Sequence, residues 1–365
     1  MPHRSFQRHS NPPRSFAIAL NNNIADRFRI GTRVVKKILF VHNHLTQFVR
    51  LDLAELRKRY QVTECYLNSR WLNPVSIWNQ VRIHDLVFGW FASWHTLLPI
   101  EFARLLHKPS LLVIGGYDVA NIPEIGYGHQ RLGMKRWLSR RTMRSASCLI
   151  TNSGYSQEEA ARNTGLAKQQ VSAVYHGVPD PFGALPRGPR ARLALTVGNV
   201  DRSNLKRKGH EAFVRTAALM PDVNFVLAGA ARDDAFDYLQ GIATPNVTLT
   251  GRLTDKALND YYRRASVYVQ ASRHEGFGLS VAEAMLAGCV PVVTRAGALP
   301  EVAGESAIFV DAPEPAVMAQ GIEKALTYSD RARTAIRQRI LDHFPMEKRG
   351  QLLEQLIRPL MNGTD

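Results

Sequence analysis

Short apolar runs alternate with longer amphipathic stretches along the first half of this chain. The apolar runs predict strands at 34–41, 62–67, 84–91, 110–114, 147–151 and 171–175. The stretches between them predict helices at 47–59, 72–81, 97–107 and 132–144. A further short helix is predicted from Ser156, with Glu159 three residues later completing a capping box. Alternating strands and helices predict a parallel sheet with right-handed crossovers.

A second alternating series follows a stretch that is typical of a linker. Residues 178–190 read VPDPFGALPRGPR, and prolines and glycines at this density break regular structure. Strands are then predicted at 193–197, 223–227, 247–250, 265–270, 290–294 and 308–310. The intervening helices are predicted at 209–220, 234–242, 256–264, 279–287, 315–327 and 330–343. We therefore predict a first domain over 34–178, a linker over 179–190 and a second domain over 191–345, with ligands between them at the carboxyl ends of the strands.

The segment 270–301 carries the strongest chemical signal. It contains Glu275, then Gly276-Phe277-Gly278, then a helical run with Glu283 eight positions after the first glutamate. A glycine turn before a helix lets the backbone approach a ligand, and the N–H groups at the helix start suit a phosphate. Carboxylates on either side accept hydrogen bonds from paired hydroxyls. The alternative is that both glutamates are solvated; the arrangement favours a nucleotide-sugar diphosphate.

The pattern E-G-F-G-L-x-x-x-E-A-M-x-x-G-x-P-V-V, followed by G-x-L-P-E, resembles the donor-site signature of family 4 retaining glycosyltransferases. The resemblance implies an α/β GT-B fold, in which two Rossmann-like domains face an interdomain cleft. It also implies that a closing helix at 346–361 crosses back onto the first domain. By position, Glu275 contacts the donor sugar and Glu283 binds the ribose. The backbone of Phe277, Gly278 and Leu279 then holds the diphosphate.

The start of the second domain matches the same family in part. Lys208-Gly209 corresponds to the family's lysine–glycine pair, which reaches the donor phosphates. Asn199 stands where an arginine is usual, so Arg202 or Lys206 is a candidate to replace that contact. A solvated basic loop is the alternative interpretation. Because cations at a helix start oppose the helix dipole, a bound diphosphate is the natural compensation.

Two further segments are assigned through the resemblance. The turn after the strand at 247–250 places Arg252 and Leu253 against the nucleotide base, although an ordinary turn would show the same residues. The G-x-L-P-E segment places Glu301 beside the donor sugar; its alternative role is to cap the next helix.

The first domain matches the family only in its pattern of elements. The loop after the strand at 110–114 lacks the histidine that family members often carry. Asp118 in that loop is therefore a candidate catalytic residue, and His44, His95 or His129 are alternatives. Ser153 corresponds to the family's serine after the strand at 147–151.

Charge and composition limit the other possibilities. The net charge is +16, and residues 1–37 hold eight Lys or Arg against one acid, Asp26, which predicts a disordered basic tail over 1–33. A transit peptide or an over-extended gene start are weaker interpretations of that tail. The helix at 134–144 has a cationic amphipathic pattern that fits either a solvated helix or an anionic membrane surface. A nucleic-acid binder is suggested by charge alone, without aromatic interleaving or a recognition-helix motif.

Cofactor and metal motifs are absent from the sequence. There is no D-x-D, no P-loop and no G-x-G-x-x-G. Cys65, Cys148 and Cys289 are widely spaced and are expected to be reduced thiols in a cytoplasmic protein, either free or peripheral on the inner face of the membrane. Together with these absences, the family resemblance implies metal-independent transfer of a hexose from UDP- or GDP-hexose to a glycan or lipid-linked acceptor. A GT-B epimerase or phosphorylase is the alternative enzyme.

Overall fold

The computed structural model describes residues 35–362, except 69–71, 132 and 186–187. The first domain has strands β1 (Lys37–His42), β2 (Gln61–Tyr66), β3 (Leu86–Trp90), β4 (Ser110–Ile114), β5 (Cys148–Thr151) and β6 (Val171–Ala173). Its helices are α1 (Gln47–Arg57), α2 (Pro74–Ile83), α3 (Trp94–Leu105), α4 (Gly133–Ser145) and α5 (Gly154–Thr164). The strands pair in the order β2-β1-β3-β4-β5-β6, all parallel. The predicted basic tail over 1–33 lies outside the described residues.

The second domain repeats this architecture. Its strands are β7 (Ala191–Val197), β8 (Asn224–Ala228), β9 (Val247–Gly251), β10 (Ala265–Gln270), β11 (Val290–Thr294) and β12 (Ile308–Val310). Its helices are α6 (Arg202–Arg207), α7 (His210–Thr216), α8 (Ala235–Ile242), α9 (Asp255–Arg264), α10 (Leu279–Leu286), α11 (Leu299–Ala303), α12 (Pro315–Leu326) and α13 (Asp330–His343). The parallel order is β12-β11-β10-β7-β8-β9.

The central strands are buried along their whole length. Every residue of β3, β4, β10 and β11 is buried. Helices cover both faces of each parallel sheet, which is why these strands read as continuous apolar runs rather than alternating ones. The predicted two-sheet α/β fold is confirmed.

The last helix, α14 (Met346–Asn362), packs on the first domain. Leu353 and Ile357 lie in the same hydrophobic cluster as Phe40 and Phe88 of the first sheet. The chain therefore returns from the second domain to the first, and α14 completes the core of the first domain.

The predicted capping box at Ser156 is wrong. Helix α5 begins two residues earlier, and Ser153 is its N-cap: the Ser153 hydroxyl accepts a hydrogen bond from the Ser156 N–H at 3.0 Å. Glu159 does not reach back to the cap, because its carboxylate bonds His274 of the second domain at 2.9 Å. A contact between distant segments replaces the local one.

The segment after β7 also differs from the prediction. The expected loop contains α6, capped by Asp201, whose side chain accepts from the Asn204 N–H at 2.8 Å. The helix predicted over 209–220 is shorter, because α7 ends at Thr216 and continues as a 3-10 turn.

Candidate functional site

A cleft of about 1160 Å³ runs between the carboxyl ends of the two sheets. In the first domain its wall comprises Asn43, His44, Leu45, Thr46, Gln47, Arg50, Phe91, Ser93, Trp94, His95, Tyr117, Asp118, His129, Lys135 and Leu138. In the second domain its wall comprises Val197, Gly198, Asn199, Asp201, Ala228, Gly229, Ala230, Arg232, Arg252, Leu253, Asp255 and Leu258. Since parallel strands carry their ligands at their carboxyl ends, this cleft is the expected binding region.

The glycine turn between β10 and α10 depends on its glycines. Gly278 is the N-cap of α10 with a φ of 95°, in the left-handed region that favours glycine. A side chain there would also meet Leu299, whose Cδ2 lies 2.9 Å from the Cβ position. Gly297 passes so close to the Glu275 backbone that a Cβ would clash with it. The turn thus places the N-terminus of α10 directly after Glu275.

Glu275 is held by several donors at this turn. Its carboxylate accepts from Lys208 Nζ at 2.9 Å, from the Ser272 hydroxyl at 2.9 Å and from Gln270 Nε2 at 3.2 Å. Burial alone would raise the pKa of Glu275, but Lys208 and Arg207 outweigh it and lower that pKa to about 2. The carboxylate is therefore ionised at neutral pH, and its partner is the predicted phosphate lysine.

Lys208 is positioned by the bend between α6 and α7. Gly209, with a φ of 72°, joins the two helices and leaves no room for a side chain against Ala271. The adjacent Gly198 lies on the cleft wall, and a Cβ there would lie 2.8 Å from Lys208 Cδ. The Lys208–Glu275 pair therefore lies behind Gly198 of the cleft wall, and neither of its two side chains is among the lining residues named above.

Arg202 and Lys206, the candidates to replace the arginine that the family has in place of Asn199, differ in the contacts their side chains make. Asn199 lines the cleft, and its carbonyl accepts from Asn204 Nδ2 at 2.9 Å. Arg202 forms a two-point ion pair with Asp234, at 2.8 and 2.5 Å, on the exposed surface. Arg202 is therefore engaged away from the cleft. Lys206 is exposed at the end of α6.

Glu283 lies one and a half turns into α10 and is buried. Tyr262 donates its hydroxyl to one carboxylate oxygen at 3.1 Å, and Gln47 of the first domain donates its side-chain amide to the other. Burial raises the pKa of Glu283 to about 7, against the opposing effect of the hydrogen bonds from Tyr262 and Gln47. Glu283 therefore faces the first domain, and its carboxyl titrates near neutral pH.

Some of the other residues predicted to contact the donor line the cleft, and others do not. Arg252 and Leu253 lie on the cleft wall. The Phe277 ring instead points into the protein, with edge contacts to His176 and Phe344 at centroid distances of 5.1 and 5.5 Å. Phe277 thus anchors the turn through its side chain, and the predicted contact of its backbone with the diphosphate stays a prediction. Leu279 is the first residue of α10, where backbone N–H groups have no intrahelical partner.

Glu301 bridges the two domains. Its carboxylate accepts from the backbone N–H groups of Gly154 at 2.9 Å and Tyr155 at 2.5 Å, and from the Tyr175 hydroxyl at 2.8 Å. It thus caps the N-terminus of α5, a helix of the other domain, rather than the helix that follows it. An acid is favoured there by the free N–H groups and the helix dipole.

The domains touch at the glycine turn itself. The Ser153 hydroxyl donates to the Gly276 carbonyl at 2.6 Å, and the buried Glu159 and His274 side chains bond across the same boundary. The first domain therefore covers one side of the turn, and Gln47, which contacts Glu283, lines the cleft.

The catalytic candidates from the first domain all line the cleft, but their hydrogen-bond partners and burial differ. Asp118 is buried, and its two oxygens accept from the backbone N–H groups of Ala92 and Gly115 at 2.8 and 2.9 Å. Burial raises its pKa to about 7. Its contacts order the loop between β4 and α4. His44, His95 and His129 also line the cleft, and His95 is fully buried.

Sequence reasoning missed Gln47, His210 and Tyr127. Gln47 contacts Glu283 from 236 positions away, so no local pattern indicates it. His210 is fully buried beside the Lys208–Glu275 pair, and burial with the nearby cations lowers its pKa to about 3. Tyr127 packs against the Arg207 guanidinium, 5.0 Å from the ring centre.

The described part of the chain contains neither a group of side chains that could hold a metal ion nor a helix that could span a membrane. Among those residues, no group of three His, Cys, Asp or Glu side chains is arranged to hold a metal ion. No described helix has both the length and the apolar character needed to cross a bilayer.

Comparison with known proteins supports the fold and part of the family assignment. Residues 191–328 match the family model Glycosyl transferases group 1. An uncharacterised 41.2 kDa protein from the cps region of Klebsiella pneumoniae is 27% identical over 176 residues, which cover 46% of this chain and 48% of that protein. D-inositol 3-phosphate glycosyltransferase of Mycolicibacterium gilvum is 32% identical over 254 residues, covering 62% and 53%. The chain spans about half the length of these two relatives.

The structural comparison covers most of the chain. The Anabaena protein HepE, solved in complex with UDP and glucose, superposes with a TM-score of 0.70 at 16% identity, over 88% of this chain and 99% of that one. A likeness at this identity establishes the fold, and the GT-B prediction is confirmed. Membership of family 4 in particular stays a prediction. None of these three proteins is described as an epimerase, a phosphorylase or a nucleic-acid binder.

Proposed function

We propose that this protein is a retaining glycosyltransferase of family 4, which moves a hexose from a nucleotide-diphosphate sugar to a glycan or lipid-linked acceptor. The observation that carries the proposal is the ionised Glu275, paired with Lys208 where the glycine turn meets the N-terminus of α10. A fixed cation, a helix N-terminus and a carboxylate together match a diphosphate joined to a sugar. The group 1 match over the same domain supports this interpretation.

In the proposed complex, the donor lies along the second domain's side of the cleft. Lys208 and the backbone N–H groups of Phe277, Gly278 and Leu279 hold the diphosphate. Glu283 accepts hydrogen bonds from the ribose hydroxyls, which take the place that Gln47 occupies in this structure. The remaining donor contacts are proposed for Arg252 and Leu253 on the base, Asn199 near the phosphates, and Glu275 and Glu301 on the sugar side.

Transfer then proceeds through charge stabilisation rather than a protein nucleophile. The bond between the sugar's anomeric carbon and the diphosphate oxygen breaks, and its electron pair stays on the diphosphate. The acceptor hydroxyl attacks the same face, and its proton passes to the leaving phosphate oxygen. Lys208 and the α10 dipole neutralise the leaving group, while Glu275 orients the sugar. Asp118 acts in this mechanism by holding the loop that faces the reacting carbon.

A donor screen tests the proposal directly. UDP-, GDP- and ADP-sugars are compared by thermal shift, and the sugar that stabilises the protein is offered with candidate acceptors. We expect one nucleotide class to raise the melting temperature and the product to keep the donor's anomeric configuration by NMR. No stabilisation by any nucleotide sugar, or an inverted product, would contradict the assignment.

Donor affinity should depend on pH through Glu283. Its pKa is raised to about 7, so the carboxyl is largely protonated below that pH and loses acceptor capacity for the ribose. We expect affinity for the nucleotide sugar to rise about five- to ten-fold between about pH 6 and pH 8, by calorimetry. A nucleotide sugar is a suitable probe because its doubly esterified diphosphate does not titrate in this range.

The matched control for this effect is Glu283→Gln, which cannot titrate. Its donor affinity should be weaker and flat over the same range. A wild-type profile as flat as that of Glu283→Gln would remove Glu283 from the ribose site.

We also propose that α4 rests on an anionic membrane surface. Met134 and Trp137 on this helix are 69% and 58% exposed, and the same helix carries Arg136 and Arg144. Apolar side chains bordered by cations fit the interface of an acidic bilayer. We expect co-sedimentation with phosphatidylglycerol vesicles but not with phosphatidylcholine vesicles, and loss of binding in Trp137→Ser. Equal binding to both vesicle types would contradict a role for charge.

A further inference from the structure

The first domain's wall of the cleft has no role in holding the donor, yet it is equipped with ligand-binding groups. Its residues include two aromatic rings, two imidazoles and two cations that lie on α1, in the first turns of α3 and α4 and in the loop after β4. These residues are Arg50, Trp94, His95, Tyr117, His129 and Lys135. The mixture is typical of a surface that binds a polar ring bearing a charge.

His95 points to a hydroxylated ligand. The ring is fully buried and lines the cleft, and its Nε2 donates to the Trp90 carbonyl at 2.8 Å. Its Nδ1 is then a bare acceptor, and it has no partner among the described residues. Burial holds the pKa of His95 at about 4, so the ring remains neutral. A buried acceptor without a partner is costly, and a ligand hydroxyl would satisfy it.

The aromatic side chains provide a surface for a ring. Trp94 is half-buried at the start of α3, and Tyr117 is 38% exposed after β4. Tyr117 is fixed by an edge contact with His129, at a centroid distance of 4.7 Å. The Nδ1 atom of His129 is also buried without a partner among the described residues. Flat apolar faces beside hydrogen-bonding groups suit a sugar, which has both kinds of surface.

The cations point to an anionic group on that sugar. Within the described residues, neither Arg50 nor Lys135 forms an ion pair, whereas Arg141 on the same helix as Lys135 is paired with Glu101 at 2.5 Å. Asp118 is the acid of this wall, and its oxygens are already used by backbone N–H groups. The wall therefore exposes positive charge without a counter-charge.

Both cations also lie near the start of a helix. Arg50 lies in the first turn and a half of α1, and Lys135 lies in the first turn of α4. A cation near a helix N-terminus opposes the helix dipole, so both placements cost stability unless an anion is bound. A phosphate receives charge-assisted hydrogen bonds from both cations and is favoured by both dipoles.

We infer that the first-domain wall binds a phosphorylated sugar as the acceptor. Lys135 and Arg50 contact its phosphate, His95 accepts from a hydroxyl, and Trp94 and Tyr117 pack against the ring. The inference rests on the proposed function, because it assigns the acceptor of the same cleft. The shared chemistry is a sugar phosphate, whether it is free in water or is the diphosphate end of a lipid-linked sugar.

Acceptor pairs that differ only in phosphate test this inference on the full chain loaded with its nucleotide. Mannose is compared with mannose 6-phosphate, glucose with glucose 6-phosphate, and inositol with inositol phosphate. A polyprenyl diphosphate sugar in detergent micelles forms the lipid arm. Binding is measured by calorimetry and transfer by nucleotide release. We expect at least one phosphorylated compound to bind and its neutral partner not to bind. Binding of a soluble sugar phosphate or of the polyprenyl diphosphate sugar then shows whether the acceptor is free in water or lipid-linked.

Three variants locate the contact. Lys135→Gln should raise the KM for the phosphorylated acceptor roughly ten-fold or more, with kcat and nucleotide affinity unchanged. Lys135→Arg should restore most of the affinity. Arg141→Gln removes a charge from the same helix outside the cleft and should behave like wild type.

Failure of the acceptor inference can be told apart from failure of the proposed function. If nucleotide sugars bind but every phosphorylated compound fails to bind, or neutral partners bind equally well, the acceptor inference is overturned while the donor assignment stands. The acceptor inference is also overturned if Lys135→Gln and Arg141→Gln behave alike. If no nucleotide sugar binds, the proposed function itself fails.

Discussion

Replacement of Glu275 by glutamine is expected to slow sugar transfer about 100- to 1000-fold while the protein stays folded. Glutamine keeps the size of the side chain and its contacts with Ser272 and Gln270, but it removes the charge that faces Lys208 at 2.9 Å. Because the loss affects the sugar rather than the diphosphate, the rate should fall while nucleotide affinity changes little. Initial rates of nucleotide release and calorimetric affinities separate these quantities.

Two companion variants make the Glu275 result interpretable. Glu158→Gln removes an exposed carboxylate from α5 and should leave transfer unchanged. Lys208→Ala removes the phosphate contact and should weaken nucleotide-sugar binding; unchanged affinity would move that contact to Lys206 or Arg207. Circular dichroism checks that each variant is folded. Near-normal transfer by Glu275→Gln would remove this glutamate from the donor site.

Much of the fold was predictable because each buried strand is a continuous local run of apolar residues. The runs that form β3, β4 and β10 contain almost nothing but residues that tolerate complete burial, and only a parallel sheet covered on both faces offers that environment. The glycine turn was predictable for a similar reason. Gly278 adopts a conformation that other residues avoid, and it comes directly before a run of helix formers.

The contacts between the domains could not be predicted, because they join segments with no local relation. Glu159 looked like a capping residue, and the pattern gave no sign that His274 would bind it instead. Glu301 likewise lies 147 positions from the N–H of Gly154 that it accepts from. In both cases a tertiary partner competes successfully with a local one. The glycine turn and its flanking acids were therefore predictable from local pattern, while the partners of those acids in the other domain were not.

Removal of the Arg349 side chain is expected to cause the largest loss of stability. Arg349 in α14 and Asp52 in α1 are each 1% exposed and form a two-point ion pair at 3.0 and 2.7 Å. Arg349 also donates to the carbonyls of Val174 and Tyr175. Arg349→Leu leaves Asp52 as a buried charge without a partner, which costs about 3–5 kcal/mol. Thermal unfolding should show a correspondingly lower midpoint than wild type.

A control variant and a double variant test whether the loss of stability comes from leaving one charge of the ion pair buried without its partner. Arg358→Leu changes an exposed arginine of the same helix and should shift the midpoint little. The double variant Arg349→Leu/Asp52→Leu should recover part of the loss, because removing both charges eliminates the desolvation penalty that a single substitution exposes. A double variant no more stable than Arg349→Leu would show that the carbonyl contacts, rather than the ion pair, hold α14. Since α1 also carries Gln47 and Arg50, loosening α14 should weaken ligand binding at both walls of the cleft before the protein unfolds.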